Sequence, residues 1–163
     1  MNLNELNTDI LAHKKIVPSQ LSEIINLTFP FYFAYNKMQK NISKIEHDNY
    51  NLTDTEVDAL VTILALRDEK KTISPKKLSE KLIFSSAAIT KVLKKLEDRK
   101  LIIRLDNKFD KRSKLVKITP IGEEICREVF KDILTYENSC FSVLSDDEKE
   151  IFQTLFVKIL KNI

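Results

Sequence analysis

The chain has 163 residues, 43% hydrophobic and 31% charged, with a single glycine. That length suits one domain, or one domain plus an oligomerisation element. One glycine argues against a loop-rich or disordered chain and excludes any Gly-rich phosphate-binding loop. The net charge of +3 conceals an asymmetry, because Lys70 to Lys117 holds sixteen Lys/Arg against five Asp/Glu while the rest holds eleven against nineteen. A basic middle between acidic ends is the footprint of a nucleic-acid-binding unit, although charge alone leaves an acidic protein or membrane surface open as a partner. Two cysteines, Cys126 and Cys140, are too few for a disulfide framework and agree with a reducing compartment. No apolar run is long enough to span a bilayer, and Met1 leads into polar, acidic residues rather than a signal peptide. A cytoplasmic protein with no membrane association is expected.

In chain order, Leu3, Leu6, Ile10 and Leu11 recur at helical spacing within residues 1–17. Pro18-Ser19 can start a second helix, with Leu21, Ile24, Ile25 and Thr28 along one face. Pro30 lacks an amide hydrogen and disfavours α geometry at Phe29, which predicts a break or kink there. Phe29, Phe31, Tyr32, Phe33 and Tyr35 crowd too many rings onto adjacent positions for one core. They suit an intersubunit core or, in a sharper reading, a small-molecule pocket wall, with Phe31, Tyr32 and Tyr35 as candidate ligand contacts. Met38, Ile42 and Ile45 continue the stripe to about Glu46.

Thr53 and Glu56 form a capping box, with Leu52 and Val57 as its hydrophobic staple. They open a helix whose expected core face is Val57, Leu60, Val61 and Leu64. Ser74 caps a short helix with Pro75 at its first position and Leu78 and Leu82 buried. Residues 82–85 turn the chain, and Ser85 caps the next helix. There Ile89, Val92, Leu93 and Leu96 fall at i, i+3, i+4 and i+7, while Ala87, Thr90, Lys91 and Lys94 take the opposite side. Small, neutral residues at the start and lysines further along suit a helix that enters a major groove, reading base edges first and meeting phosphates after. The β-prone segments 101–105 and 114–119 follow, joined by the turn-rich stretch 106–113. A short helix, a tight turn, a longer helix and a basic hairpin favour a winged helix-turn-helix.

Thr119-Pro120 starts a long helix through Ile121, Ile125, Val129, Ile133 and Tyr136 to about Phe141. Ser145 and Glu148 form another capping box, and the final helix carries Ile151, Phe152, Leu155, Phe156 and Ile159. That stripe is too wide for an isolated exposed helix, so it is expected to pack on another subunit.

From about Phe31 to the C-terminus the chain resembles the multiple-antibiotic-resistance regulator (MarR) family of winged-helix proteins. The likeness is most specific in LTDTEVDALVTIL, in KKLSEKLIFSSAAITKVLKKLEDRKLIIR and in DKRSKLVKITPIGEE. The resemblance implies a mostly α fold with a small β-hairpin wing, flanked by N- and C-terminal dimerisation helices. Residues 1–51 and 120–163 would dimerise, and 52–119 would bind DNA. Carried over by position, Arg112 would be the wing arginine entering the minor groove, with Asp110 orienting it. Ser86, Ala87, Thr90 and Lys91 would lie at the base-reading helix start, and Ser74, Lys76, Lys77, Lys94 and Lys108 would complete the DNA-binding set. The implied protein is a homodimeric repressor of a pseudo-palindromic operator in double-stranded DNA; many members of the family respond to a small-molecule or oxidant signal, a property that transfers only with a matching site. Two features depart from the family. Lys100 stands where a glycine usually ends the recognition helix, which predicts a differently shaped turn, and the extension before Phe31 is long.

No nucleophile motif, metal-ligand spacing or cofactor motif is present. His13 and His47 are far apart, and Ser85-Ser86 is explained by capping and groove contact, so neither an enzyme nor a cofactor is expected. Cys126 and Cys140 would sit on one helix about 21 Å apart, too far to bridge within a subunit. The alternative from another class is a winged-helix interaction module whose basic face meets an acidic protein. Position argues against it, since such a module has no use for Arg112 at a wing tip.

Overall fold

The computed structural model describes residues 3–68, 71–107 and 113–163. Its elements are α1 (Leu3–Lys14), α2 (Ser19–Ser22), α3 (Ile25–Tyr50), α4 (Asp54–Leu66), α5 (Pro75–Leu82) and α6 (Ser86–Asp98). Then come β1 (Ile102–Asp106), β2 (Lys114–Ile118), α7 (Pro120–Phe141) and α8 (Asp146–Leu160). The chain forms two compact units, Met1–Lys44 and Ile45–Ile163.

In the first unit, Leu6 and Ile10 of α1 bury against Ile25, with Val17, Phe29 and Phe33 packed around them. The His13 ring lies 4.7 Å from Phe29, and Lys14 pairs with Glu23 at 3.3 Å. Helical geometry divides the aromatic cluster. Phe29 and Phe33 turn toward this core, while Phe31, Tyr32 and Tyr35 stand exposed. The break expected at Pro30 does not occur, and α3 runs through it. Pro30 is the sixth residue of α3, so only about one turn precedes it. The ring's fixed φ is already helical, and the cost reduces to the Asn26 carbonyl losing its i+4 donor close to the helix start. The chain breaks earlier instead, at residues 23–24 between α2 and α3.

The second unit is built on α4, which packs against α5, α6, α7 and β2. Its start is fixed by the capping box, with the Thr53 amide donating to Glu56 Oε2 at 2.9 Å and both staple residues buried. The face of α4 differs from the expected one. Val57, Ala59, Leu60 and Ile63 are buried, and Val61 and Leu64 are only half-buried. Strands β1 and β2 pair antiparallel with Ile102 opposite Ile118 and Asp106 opposite Lys114. Ile73 adds a bridge to Val116, with hydrogen bonds of 3.0 and 2.9 Å, so the loop before α5 edges the wing sheet. Ile73, Ile102 and Val116 are all buried.

Lys100 takes φ 60°, the left-handed conformation that favours glycine. The turn is nonetheless the one a glycine would make. The Lys100 amide donates to Glu97 O at 2.8 Å and the Leu101 amide to Leu96 O at 2.9 Å, a Schellman pair that brings buried Leu101 to buried Leu96. Two satisfied carbonyls and that apolar contact offset the roughly 1 kcal/mol of left-handed strain, so the predicted change of shape does not appear.

The core face of α7 is Gly122, Cys126, Val129 and Ile133, one position away from the expected face at its start, and Ile121 is exposed. Gly122 explains the shift. A Cβ there would lie 2.0 Å from the Leu101 carbonyl oxygen, so the first turn of α7 sits directly on the start of the wing. Thr119 sets this approach. Its amide donates to Leu101 O at 3.0 Å, and its hydroxyl donates to Lys100 O at 2.8 Å while accepting from the Gly122 amide at 3.0 Å.

Candidate nucleic-acid interface

The pair α5–α6 is held from beneath by Leu78, Ile89, Leu93 and Leu96, all essentially inaccessible. Burying that stripe fixes α6 about its own axis, and with it the direction of everything opposite. Ser86, Ala87, Thr90, Lys91 and Lys94 are consequently exposed together along one side. Ser85 starts the helix by accepting the Ala88 amide at 3.2 Å, and Ser74 starts α5 by accepting the Lys77 amide at 3.2 Å. Lys76 and Lys77 are exposed in the first turn of α5, whereas Ser74 is half-buried and Leu82 only half-buried. Thr90 is partly committed, since its hydroxyl donates to Ser86 O at 2.7 Å. What it offers outward is its methyl group and an acceptor lone pair. Lys108, Asp110 and Arg112 lie outside the described residues. Phe31, Tyr32 and Tyr35 belong to the other unit and are exposed on α3, with Phe31 and Tyr32 edge to face at 5.2 Å.

The far end of α6 is anchored by contacts that no local pattern announces. Arg99 donates to the Asn51 carbonyl at 2.6 Å and to the Tyr50 carbonyl at 3.0 Å, gripping the turn after α3. Tyr50 in turn donates its hydroxyl to Asp132 of α7 at 2.7 Å, and burial beside that carboxylate raises its pKa to about 12. Lys95 reaches Glu56 at 3.5 Å. Arg104 Nε lies 3.0 Å from Glu97 Oε2, in ion-pair range but without hydrogen-bond alignment.

Among the described residues, two carboxyl groups are strongly shifted. Glu46 is buried, and desolvation together with Asp54 and Asp58 pushes it up to about 8; its Oε2 has no hydrogen-bond partner. Glu123 is held down to about 2 by hydrogen bonds from Arg67 and Arg127, each at 2.7 Å. Cys126 is buried and pushed up to about 11, mainly by desolvation, which keeps it a thiol. It borders an open groove of about 670 Å³ between α4 and α7, whose apolar lining includes Val61, Leu64, Phe130 and Leu134. Among the described residues no group of three His, Cys, Asp or Glu could hold a metal ion, and no helix could cross a membrane.

A helix-turn-helix packed beneath a two-stranded wing, with the second helix presenting a free polar face, defines a winged helix-turn-helix protein. Residues 52–114 match the sequence model of the MarR family. The HTH-type transcriptional regulator SarZ of Staphylococcus epidermidis is 27% identical over 136 residues, 83% of this chain and 88% of SarZ. The HTH-type transcriptional regulator PapX of Escherichia coli is 26% identical over 160 residues, 98% of this chain and 96% of PapX, so that alignment includes the extension before Phe31. A crystal structure of a mutant MarR from E. coli complexed with operator DNA matches at TM-score 0.71 and 25% identity, covering 86% of this chain and 97% of that one.

Proposed function

We propose that this protein regulates transcription by binding duplex DNA as a homodimer, repressing from a pseudo-palindromic operator in the cytoplasm. The observation that carries the reading is α6, whose buried stripe leaves Ser86, Ala87, Thr90, Lys91 and Lys94 as one free face. The likeness to a MarR structure complexed with operator DNA supports it. Thr90 and Lys91 read base edges in the major groove, while Lys76, Lys77 and Lys94 meet phosphates and Ser74 supports the first turn of α5. Lys108 and Asp110 serve the wing, and Arg112 enters the minor groove, where a narrow A·T-rich stretch concentrates negative potential.

Residues 52–119 form the DNA-binding part, and 1–51 with 120–163 hold the dimer. Exposed Ile151, Leu155 and Ile159 on α8 support this division, as do Phe31, Tyr32 and Tyr35 on α3. Two-fold symmetry places two recognition helices one duplex turn apart, which is why the operator is pseudo-palindromic. An effector that altered their spacing would release the DNA, and the surplus aromatics on α3 suit contact with a small aromatic signal.

The test is a footprint of the purified protein on its own upstream region, followed by anisotropy titrations at several salt concentrations. Each neutralised phosphate releases counterion, so log K should fall against log salt with a slope on the order of −6 or steeper. A slope near zero would favour an acidic protein partner instead.

A further inference from the structure

The turn between α5 and α6 places two unfavourable features on one side chain. Ile83 has φ 55°, in the left-handed region where a β-branched side chain crowds its own backbone. That side chain is also 92% exposed, so it contributes nothing to the core. The turn is secured without it. The Phe84 amide donates to Ser79 O at 3.1 Å, and the Ser79 hydroxyl donates to Phe84 O at 2.7 Å. Both bonds need only the backbone at position 83, where glycine or asparagine would sit with less strain and expose less apolar surface. A use for the isoleucine lies outside the chain.

Its position indicates where. Ser85, two residues on, caps α6, and exposed Ser86 and Ala87 begin the base-reading face. Those small side chains let a groove approach closely, and the exposed Ile83 precedes them by only three and four positions in the chain. A duplex presents few apolar groups to such a position. Phosphates and most base edges are polar, and the thymine C5-methyl is the apolar feature of the major groove. We propose that Ile83 is a specificity-determining residue that packs on a thymine C5-methyl at the edge of each half-site. This rests on the DNA-binding reading above.

The experiment selects a binding site from a random duplex library with the full-length protein, then replaces each thymine in turn by deoxyuridine. Removing the methyl should weaken the wild type about fourfold at one thymine per half-site, the value of one buried methyl-sized group. Ile83→Gly should bind the thymine and deoxyuridine duplexes equally while melting at a higher temperature. Ile83→Val should keep the preference for thymine. Wild type indifferent to every deoxyuridine would overturn the inference and leave DNA binding intact. So would an Ile83→Gly variant with the wild-type thymine preference. Failure to select any duplex would overturn the DNA-binding reading, and this one with it.

Discussion

Helices α6 and α8 are both amphipathic, and the chain treats them in opposite ways. On α6 the apolar residues are spent inside the unit: Leu93 and Leu96 are at most 1% exposed. On α8 no residue is buried, and Ile151, Leu155 and Ile159 each remain more than half exposed. Midway along it, Phe152 lies 5.8 Å from Phe141 at the end of α7 and 4.7 Å from Phe156 one turn further on the same helix. A helix with a satisfied apolar stripe works through its polar face, and one with an open stripe works by covering it. The two helices therefore mark the two surfaces that the proposed function needs, one for nucleic acid and one for a second copy.

The largest expected effect comes from attacking the side of α6 that touches nothing outside. Leu93→Ala should cost about 2–5 kcal/mol, because the surrounding core collapses only partly into the space left. Denaturant unfolding would measure this, and a loss well under 1 kcal/mol would mean that the stripe does not fix α6. The matching attack on α8 should leave the fold alone. Ile151→Asp combined with Leu155→Asp puts charge into the proposed interface, so sedimentation at micromolar concentration should change from dimer to monomer with helical content retained. If the wild type itself sediments as a monomer, the dimer fails, and the palindromic operator with it.

Smaller changes are expected on the polar face. Thr90→Ala or Lys91→Ala should relax preference at one or two half-site positions by roughly 1–3 kcal/mol, without altering stability. Arg112→Ala should instead weaken binding to many sequences and flatten mainly the flanking A·T preference. Site selection with each variant tests both. A Lys91→Ala motif identical to wild type, beside an Arg112→Ala motif with a rewritten core, would reverse the assignment of helix and wing.

The contrast between the helices is legible in the sequence because both carry local signals. Ile89, Val92, Leu93 and Leu96 keep an uninterrupted helical period, and Ser85, Ser145 and Glu148 mark the helix starts. Elsewhere the period misleads. In α7 the first core contact is Gly122, which no count of apolar residues registers, so the eye takes Ile121 instead. The bridge at Ile73 is a single residue and has no alternation to show. Arg99 meets carbonyls 48 and 49 residues away, through backbone atoms that look alike in every sequence. Pro30 illustrates a weak veto: close to a helix start, tertiary packing outweighs one lost hydrogen bond.

The smallest effect concerns what anchors α6 at its far end. Glu46 lies near the end of α3, and its carbonyl accepts the Leu52 amide at 3.0 Å, closing the turn whose Tyr50 and Asn51 carbonyls Arg99 grips. Its carboxyl is raised from 4.5 to about 8, by burial first and then by Asp54 and Asp58. A carboxyl raised on folding prefers to be protonated in the folded state. Its stabilising contribution is therefore complete below about 4.5, fades as pH rises toward about 8, and is gone above that. Glu46→Gln keeps the neutral shape at every pH and can donate to Asp54 as the acid does. Urea midpoints across about pH 5 to 9 should fall for wild type relative to the variant, so that Glu46→Gln is the more stable of the two at the alkaline end. Because the anchored turn belongs to the α6 side of the comparison, self-association through α8 should not change with this substitution. Parallel pH profiles for the two proteins would show that Glu46 is already ionised near neutrality, and that the turn beneath the recognition helix tolerates its charge.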